Sequence, residues 1–253
     1  MKITVLGSTE HDQWFARRLL AHGFEVSEAS QSEHPFTRAT GGNAGPGLLA
    51  DRHLIDTGAS GIEARHHLAS DCRDAGFGYA EIAGPWQAFG QQYGFALFIG
   101  AAPETLDTLT PLFDALAPQA GAWLPCGPAG AGRFAAQIFD ALSMACALAC
   151  QAGWSTPGHT PQPPDWGAFF LQQQVLADKL LALSQLYLSL YPETEEAESP
   201  WQQLAAFSQP PRQQAHFAAN LARLITLALT QREAQQEMLT QLMGGLSPRP
   251  PQA

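Results

Sequence analysis

Charge is what this sequence has least of. Only 14% of its 253 residues are charged, and 13 basic residues face 23 acidic ones, a formal net charge of −10. An acidic chain is not drawn over long range to nucleic acid or to an anionic membrane, so neither is expected as a partner. A local basic pocket stays open. No apolar run reaches the ~18 residues that a membrane span needs. The opening Met1-Lys2-Ile3-Thr4-Val5-Leu6 enters a strand pattern directly and lacks the layout of a secretory signal. Cysteine is scarce, and Cys72, Cys126, Cys146 and Cys150 match no zinc spacing. Cys146 and Cys150 lie one helical turn apart in an Ala-rich stretch and read as reduced core thiols, which makes the cytoplasm the expected compartment. Neighbouring His66 and His67 point to different helix faces, and Ser27, Ser30, Ser60 and Ser143 have no nucleophile-elbow context.

What is present is apolar: 45% of the residues, enough for a sizeable core. Residues 2–6 read as a buried strand closed by Gly7, and Trp14, Phe15, Leu19 and Leu20 carry helical spacing up to a stop at His22-Gly23. Phe24-Glu25-Val26 starts a second strand. Residues 30–47 hold Pro35, Gly41, Gly42, Gly45, Pro46 and Gly47 and read as a loop. Strands follow at 53–56, 79–82, 95–99 and 121–125, with helices at 61–72 and 103–115, the latter with Thr105 or Asp107 near its start. Then the strand signal vanishes. Long helices are predicted at 130–153, 165–191 (N-cap Asp165) and 213–243. The order predicts an α/β unit followed by an all-α part: a reduced, mainly parallel Rossmann-like domain over 1–128 and a helical domain over 129–253.

Three segments carry a resemblance to a known family: KITVLGSTEHDQWFARRLLAHGFEV at 2–26, HLIDTGASGIEARHHLA at 53–69, and FALFIGAAPETLDTLTPLFDAL with LPCGPAGAGRFAAQIFDAL within 95–142. The chain resembles the β-hydroxyacid dehydrogenases, which include the 3-hydroxyisobutyrate and 6-phosphogluconate dehydrogenases. Gly127, Pro128, Gly130 and Gly132 keep the family's Gly-Pro-x-Gly-x-Gly opening of the interdomain helix. The resemblance implies NAD or NADP as cofactor, a small-molecule ligand, and a homodimer formed through the helical half.

The functional positions depart from that family. Its Gly-x-Gly-x-x-Gly falls on Gly7, Thr9 and Asp12, so one glycine remains and a carboxylate stands at the helix N-terminus where a pyrophosphate belongs. The alternative role of Asp12 is an ordinary helix-dipole residue. Gly7, Ser8 and Thr9 are the candidate cofactor residues; Ser30 and Gln31, near the end of the second strand, do not separate NAD from NADP. The substrate stretch Asp-x-Pro-Val-Ser-Gly-Gly falls on 81–87, which puts Pro85, Trp86 and Gln87 in place of serine and the glycines. Trp86, Gln87 and Arg133 are the candidate pocket residues, and Trp86 also reads as a packing residue. The family's catalytic lysine falls on Ala136 and its asparagine on Asp140, the one acid–base candidate left, which also reads as an ordinary helix residue. Both should face the cleft between the two parts. These departures point to a binding or oligomeric scaffold without the family's activity. The alternatives are an NADP(H)-dependent oxidoreductase of imine-reductase or hydroxyacid-dehydrogenase type with altered residues, and a helical interaction module.

Overall fold

A computed structural model describes residues 1–28, 47–153, 166–191 and 209–230. The opening unit is as expected: β1 (Lys2–Val5), α1 (Glu10–Ala21) and β2 (Glu25–Glu28), with β1 and β2 parallel and Ile3 opposite Val26. α1 buries Trp14, Phe15 and Leu19 on one face and stops at Gly23, whose φ is 83. It also buries Arg18, whose guanidinium donates to the carbonyls of Ala115 at 2.7 Å and Ala117 at 2.6 Å, far along the chain.

The next strand corrects the sequence reading. β3 (Gly47–Ala50) is a strand of four buried residues, too short for periodicity to register. The rest of the loop read at 30–47 lies outside the described residues. β3 pairs antiparallel with β1 on one side and with β4 (His53–Asp56) on the other, reversing at Asp51, which takes φ 49. Then come α2 (Ile62–Asp74), β5 (Gly78–Ala83), the single turn α3 (Gly90–Tyr93), β6 (Phe98–Ala101), α4 (Pro103–Leu116) and β7 (Leu124–Gly127). The strand order is β2-β1-β3-β4-β5-β6-β7.

The expectation of a mainly parallel sheet is therefore wrong. β1–β2, β4–β5 and β6–β7 are parallel, but β1–β3, β3–β4 and β5–β6 are antiparallel. The connections explain this. Two residues join β3 to β4, far too few for the crossover a parallel pair requires, and between β5 and β6 the chain forms only the single turn α3 and no crossover helix. β1, β2, β4 and β5 run one way and β3, β6 and β7 the other. The Gly7 loop leaves one end of the sheet; the segments after β6 and β7 leave the opposite end.

The second half is helical: α5 (Ala131–Gly153), α6 (Trp166–Leu190), a 3-10 turn (Pro211–Gln213) and α7 (Phe217–Thr230). Asp165 and residues 231–243, read as an N-cap and a helix continuation, lie outside the described residues. Phe134, Ile138, Leu180, Tyr187, Ala218 and Ala222 form a core between these helices, separate from the one that α1 and α4 share with the sheet. α5 belongs to both halves. At Gly132 it lies so close to β6 that an added Cβ would stand 2.5 Å from the Phe98 carbonyl oxygen. Farther along α5, Cys146 is exposed, which corrects its reading as a core thiol; that end of the apolar helix has left the sheet behind.

A buried ionic group fixes the α5 start. Glu81, mid-strand in β5, is fully buried and accepts the Gly130 and Arg133 amides at 2.9 Å each. Arg65 of α2, also fully buried, donates to Glu81 at 3.3 Å and to the Gly58 carbonyl, and approaches Asp56 at 3.7 Å. Tyr79 donates to the other side of the group, at Asp56 Oδ2, 3.1 Å away. Burial pushes the Glu81 carboxyl above its ordinary range against the pull of Arg65 and of the two amides. Burial also works against the charge on Arg65, but Glu81 and Asp56 outweigh it and raise the guanidinium. Replacing one partner strands the other charges. Arg65→Met is expected to lower stability by roughly 3–5 kcal/mol in urea unfolding; a loss below about 1 kcal/mol would mean that the group does not hold the two halves together.

Candidate functional site

The loop between β1 and α1 is the first candidate site. Thr9 caps α1, and Asp12 completes a capping box. The Asp12 amide donates to Thr9 Oγ1 at 3.3 Å, while the Thr9 amide and hydroxyl donate to Asp12 Oδ2 at 3.1 and 2.6 Å. Thr57, just past β4, donates to Asp12 Oδ1 at 3.3 Å. Asp12 is fully buried. A carboxylate of the chain itself thus sits in the positive field at the helix N-terminus, the place a pyrophosphate takes in a dinucleotide fold. These residues do not fit a pyrophosphate.

A cavity of about 360 Å³ nevertheless lies beside this loop, lined by Gly7, Ser8, Gln13, Ala16 and Glu28 among others. Thr9 turns its side chain into the cap instead. Glu28 ends β2, 21 positions after Gly7, close to the ~20-residue separation at which an acidic residue meets a ribose hydroxyl in NAD sites. The sequence reading placed this position near Ser30 and Gln31, which lie outside the described residues.

The α5 face is the second candidate. Ala136 is buried at 3% exposure, whereas Asp140 is exposed. They are four apart, but the structure seats one in packing and leaves the other in solvent. Arg133 and Gln137 are the polar pair on this helix. Arg133 donates to the Ala59 carbonyl at 3.3 Å, yet its Nε and the Gln137 Oε1 are buried without a partner among the described residues. Burial first, and Arg65 second, lowers the Arg133 guanidinium. Gln137 was missed by the sequence reading; its position one helical turn after Arg133 was the available signal. Trp86 is half-buried and packs edge-on against Phe15 at 5.0 Å, with Phe95 at 6.0 Å, while Gln87 is exposed. Trp86 therefore packs against α1 and not against Arg133. Among the described residues no group of three or more His, Cys, Asp or Glu side chains could hold a metal ion. No described helix is long and apolar enough to cross a membrane.

A buried pair joins α6 to the segment before α7. Tyr187 is fully buried, stacks on Phe134 at 4.6 Å, and its hydroxyl lies 2.7 Å from His216 Nε2. Burial, with Arg223 second, lowers the His216 imidazole to about 4. A neutral His216 with its proton on Nδ1 accepts a hydrogen bond from the Tyr187 hydroxyl at Nε2.

Comparison with known proteins finds similarity to solved structures only. No family model matches the chain, and no curated protein matches it. Among solved structures, a Mycobacterium tuberculosis 3-hydroxyisobutyrate dehydrogenase with L-serine is similar over 88% of this chain and 99% of its own, at 15% identity and a TM-score of 0.47. A Streptomyces aurantiacus imine reductase is similar over 88% of this chain and 98% of its own, at 11% identity and a TM-score of 0.45. A Salmonella typhimurium 3-hydroxyisobutyrate dehydrogenase is similar over 87% of this chain and 98% of its own, at 14% identity and a TM-score of 0.41.

The depressed His216 value makes stability depend on pH. The folded chain holds the imidazole neutral, so the unfolded chain takes up its proton first, near the ordinary 6.5. This contribution is full above pH 6.5 and is lost as the pH falls from there to about 4. Urea unfolding across that window should show a steeper loss for wild type than for His216→Gln. Equal slopes would show that His216 titrates alike in both states.

Proposed function

We propose that this chain is a non-catalytic scaffold built on a dehydrogenase-like fold: a binding or oligomeric protein without the hydride-transfer activity of the enzymes it resembles. The observation that carries this reading is the Asp12 carboxylate, buried and bonded at the head of α1. A pyrophosphate brought there would meet a fixed negative charge and amides already engaged. Ala136 adds to it, because a buried methyl group cannot move a proton.

A second reading, an NAD-dependent oxidoreductase with altered residues, has the Glu28 cavity in its favour. The Glu28 carboxylate would accept from a ribose hydroxyl and repel a 2′-phosphate, so this version selects NAD over NADP. In it Asp140, with Arg133 and Gln137 beside it, would take over acid–base work, and Asp140→Ala would abolish turnover.

One titration separates the two. A ligand that binds only the folded chain raises its melting temperature. The scaffold reading expects no shift with NADH or NADPH, and no consumption of either with 2-hydroxy acids, 3-hydroxy acids or cyclic imines. A shift with NADH and not NADPH, with turnover, would establish the second reading and end the first.

The oligomeric part rests on the far ends of α5 and α6. Met144, Leu148, Leu171 and Val175 are exposed there and line a largely apolar groove of about 310 Å³. Contiguous apolar surface of this kind marks an interface, and a second copy of the chain is its proposed occupant. Light scattering at micromolar concentration should give twice the chain mass, and Leu171→Lys with Val175→Lys should return it to one. A wild-type monomer throughout that range would refute the homodimer.

A further inference from the structure

We propose that the sheet end opposite the Gly7 loop carries a site for a small organic monocarboxylate with a short apolar tail. β6 and β7 run against β1, so the turns that follow them open at that end. There α2, the start of α4, the turn after β7 and the end of α6 enclose about 190 Å³. A water's share of volume is about 30 Å³, which makes this room for roughly six heavy atoms.

Its walls are suited to a carboxylate headgroup. α4 has 14 residues, and no side chain caps its N-terminus, so the positive end of its dipole and its first-turn amides are without a side-chain partner. Thr105, in that first turn, is only 4% exposed, lines the cavity, and its hydroxyl makes no hydrogen bond among the described residues. The hydroxyl of this buried residue is thus free to bond an acceptor that enters the cavity. Arg73, in the last turn of α2, lines the same cavity and forms no salt bridge among the described residues. His66 borders it as well, with its Nδ1 3.4 Å from the Tyr191 hydroxyl, which itself donates to the Ala129 carbonyl. Ala69, Phe77 and Ala129 supply an apolar wall for a tail.

Glu104 decides the charge class. Its exposed side chain lines the cavity too, so a dianion such as phosphate meets a like charge that a monocarboxylate tolerates better. None of these residues belongs to the Gly7 loop or to the Ala136–Asp140 face, and the site stands whether or not NAD binds.

The test is a calorimetric titration of the full chain with sodium butyrate and, in parallel, sodium phosphate and sodium chloride at matched ionic strength. Butyrate is expected to saturate a single site, phosphate to bind more weakly, and chloride to give no saturation. Arg73→Gln and Thr105→Val should each weaken butyrate about tenfold. Thr105→Ser should keep wild-type affinity, and Glu104→Gln should tighten binding. Arg73 is exposed, so its variant should melt at the wild-type temperature and decides the matter even if Thr105→Val fails to fold. Absence of saturation by butyrate, unchanged affinity in Arg73→Gln, or preference for phosphate would each overturn the assignment.

Discussion

The structure depends on one carboxylate. Glu81 is the point where the sheet, α2 and α5 meet, and each contributes a different kind of partner: a guanidinium from Arg65 and backbone amides from Gly130 and Arg133. A lone ionised carboxylate cannot be buried without a penalty of several kcal/mol, so the donors must be in place for the chain to close around it. This links two decisions that sequence patterns treat as separate, the register of β5 and the starting point of α5. It also explains the small residues nearby. Gly130, at φ 88, can aim its amide at Glu81 where a side chain would strain the backbone, and Gly132 lets the helix drop onto β6.

The same device appears at the other end of the sheet. Asp12 serves the head of α1 as Glu81 serves the head of α5: in each, a helix N-terminus that has affinity for an anion receives one from within the chain. An internal carboxylate is always present at effectively high local concentration, so an external anion must displace it as well as bind. α4 differs. Ala102 and Pro103 offer no carboxylate or hydroxyl to its first amides, and Arg73 and His66 stand across the space in front of it. Capping chemistry thus separates the heads of α1 and α5, each given a carboxylate from within the chain, from the head of α4, which has no side-chain cap.

Much of this was legible in the sequence. The β-α-β opening, the loss of strand signal after residue 128 and the long helices follow from periodicity over long windows, where each further residue adds to the signal. What failed was short. β3 is four residues, Gly-Leu-Leu-Ala, buried on both faces, so it shows no alternation, and missing it hid two of the three antiparallel pairings. Cys146 was misread because an Ala-rich helix looks equally apolar whether or not another element covers it. The site was legible only in part. Asp12 was seen as a charge out of place, but its partner Thr57 lies 45 residues away and no local pattern joins them. Arg65 and Glu81 are likewise ordinary surface residues by type, and only the fold makes them the centre of the core.

Strand direction has a consequence for where ligands can sit. In an open parallel sheet all carboxyl ends lie on one side, and binding concentrates there. Here β6 and β7 are reversed, so the loops that follow strands are divided between the two ends. The end that follows β1, β2, β4 and β5 carries Asp12, Asp56 and Glu28, an acidic set. The end that follows β6 and β7 is bordered by Arg73 and His66 as well as Glu104. For a chain of net charge −10, the second end is the one where Arg73 borders the space in front of a helix head that no carboxylate caps. The direction of β6 and β7 thereby sets the proposed anion site at the head of α4, away from the head of α1 that Asp12 already fills.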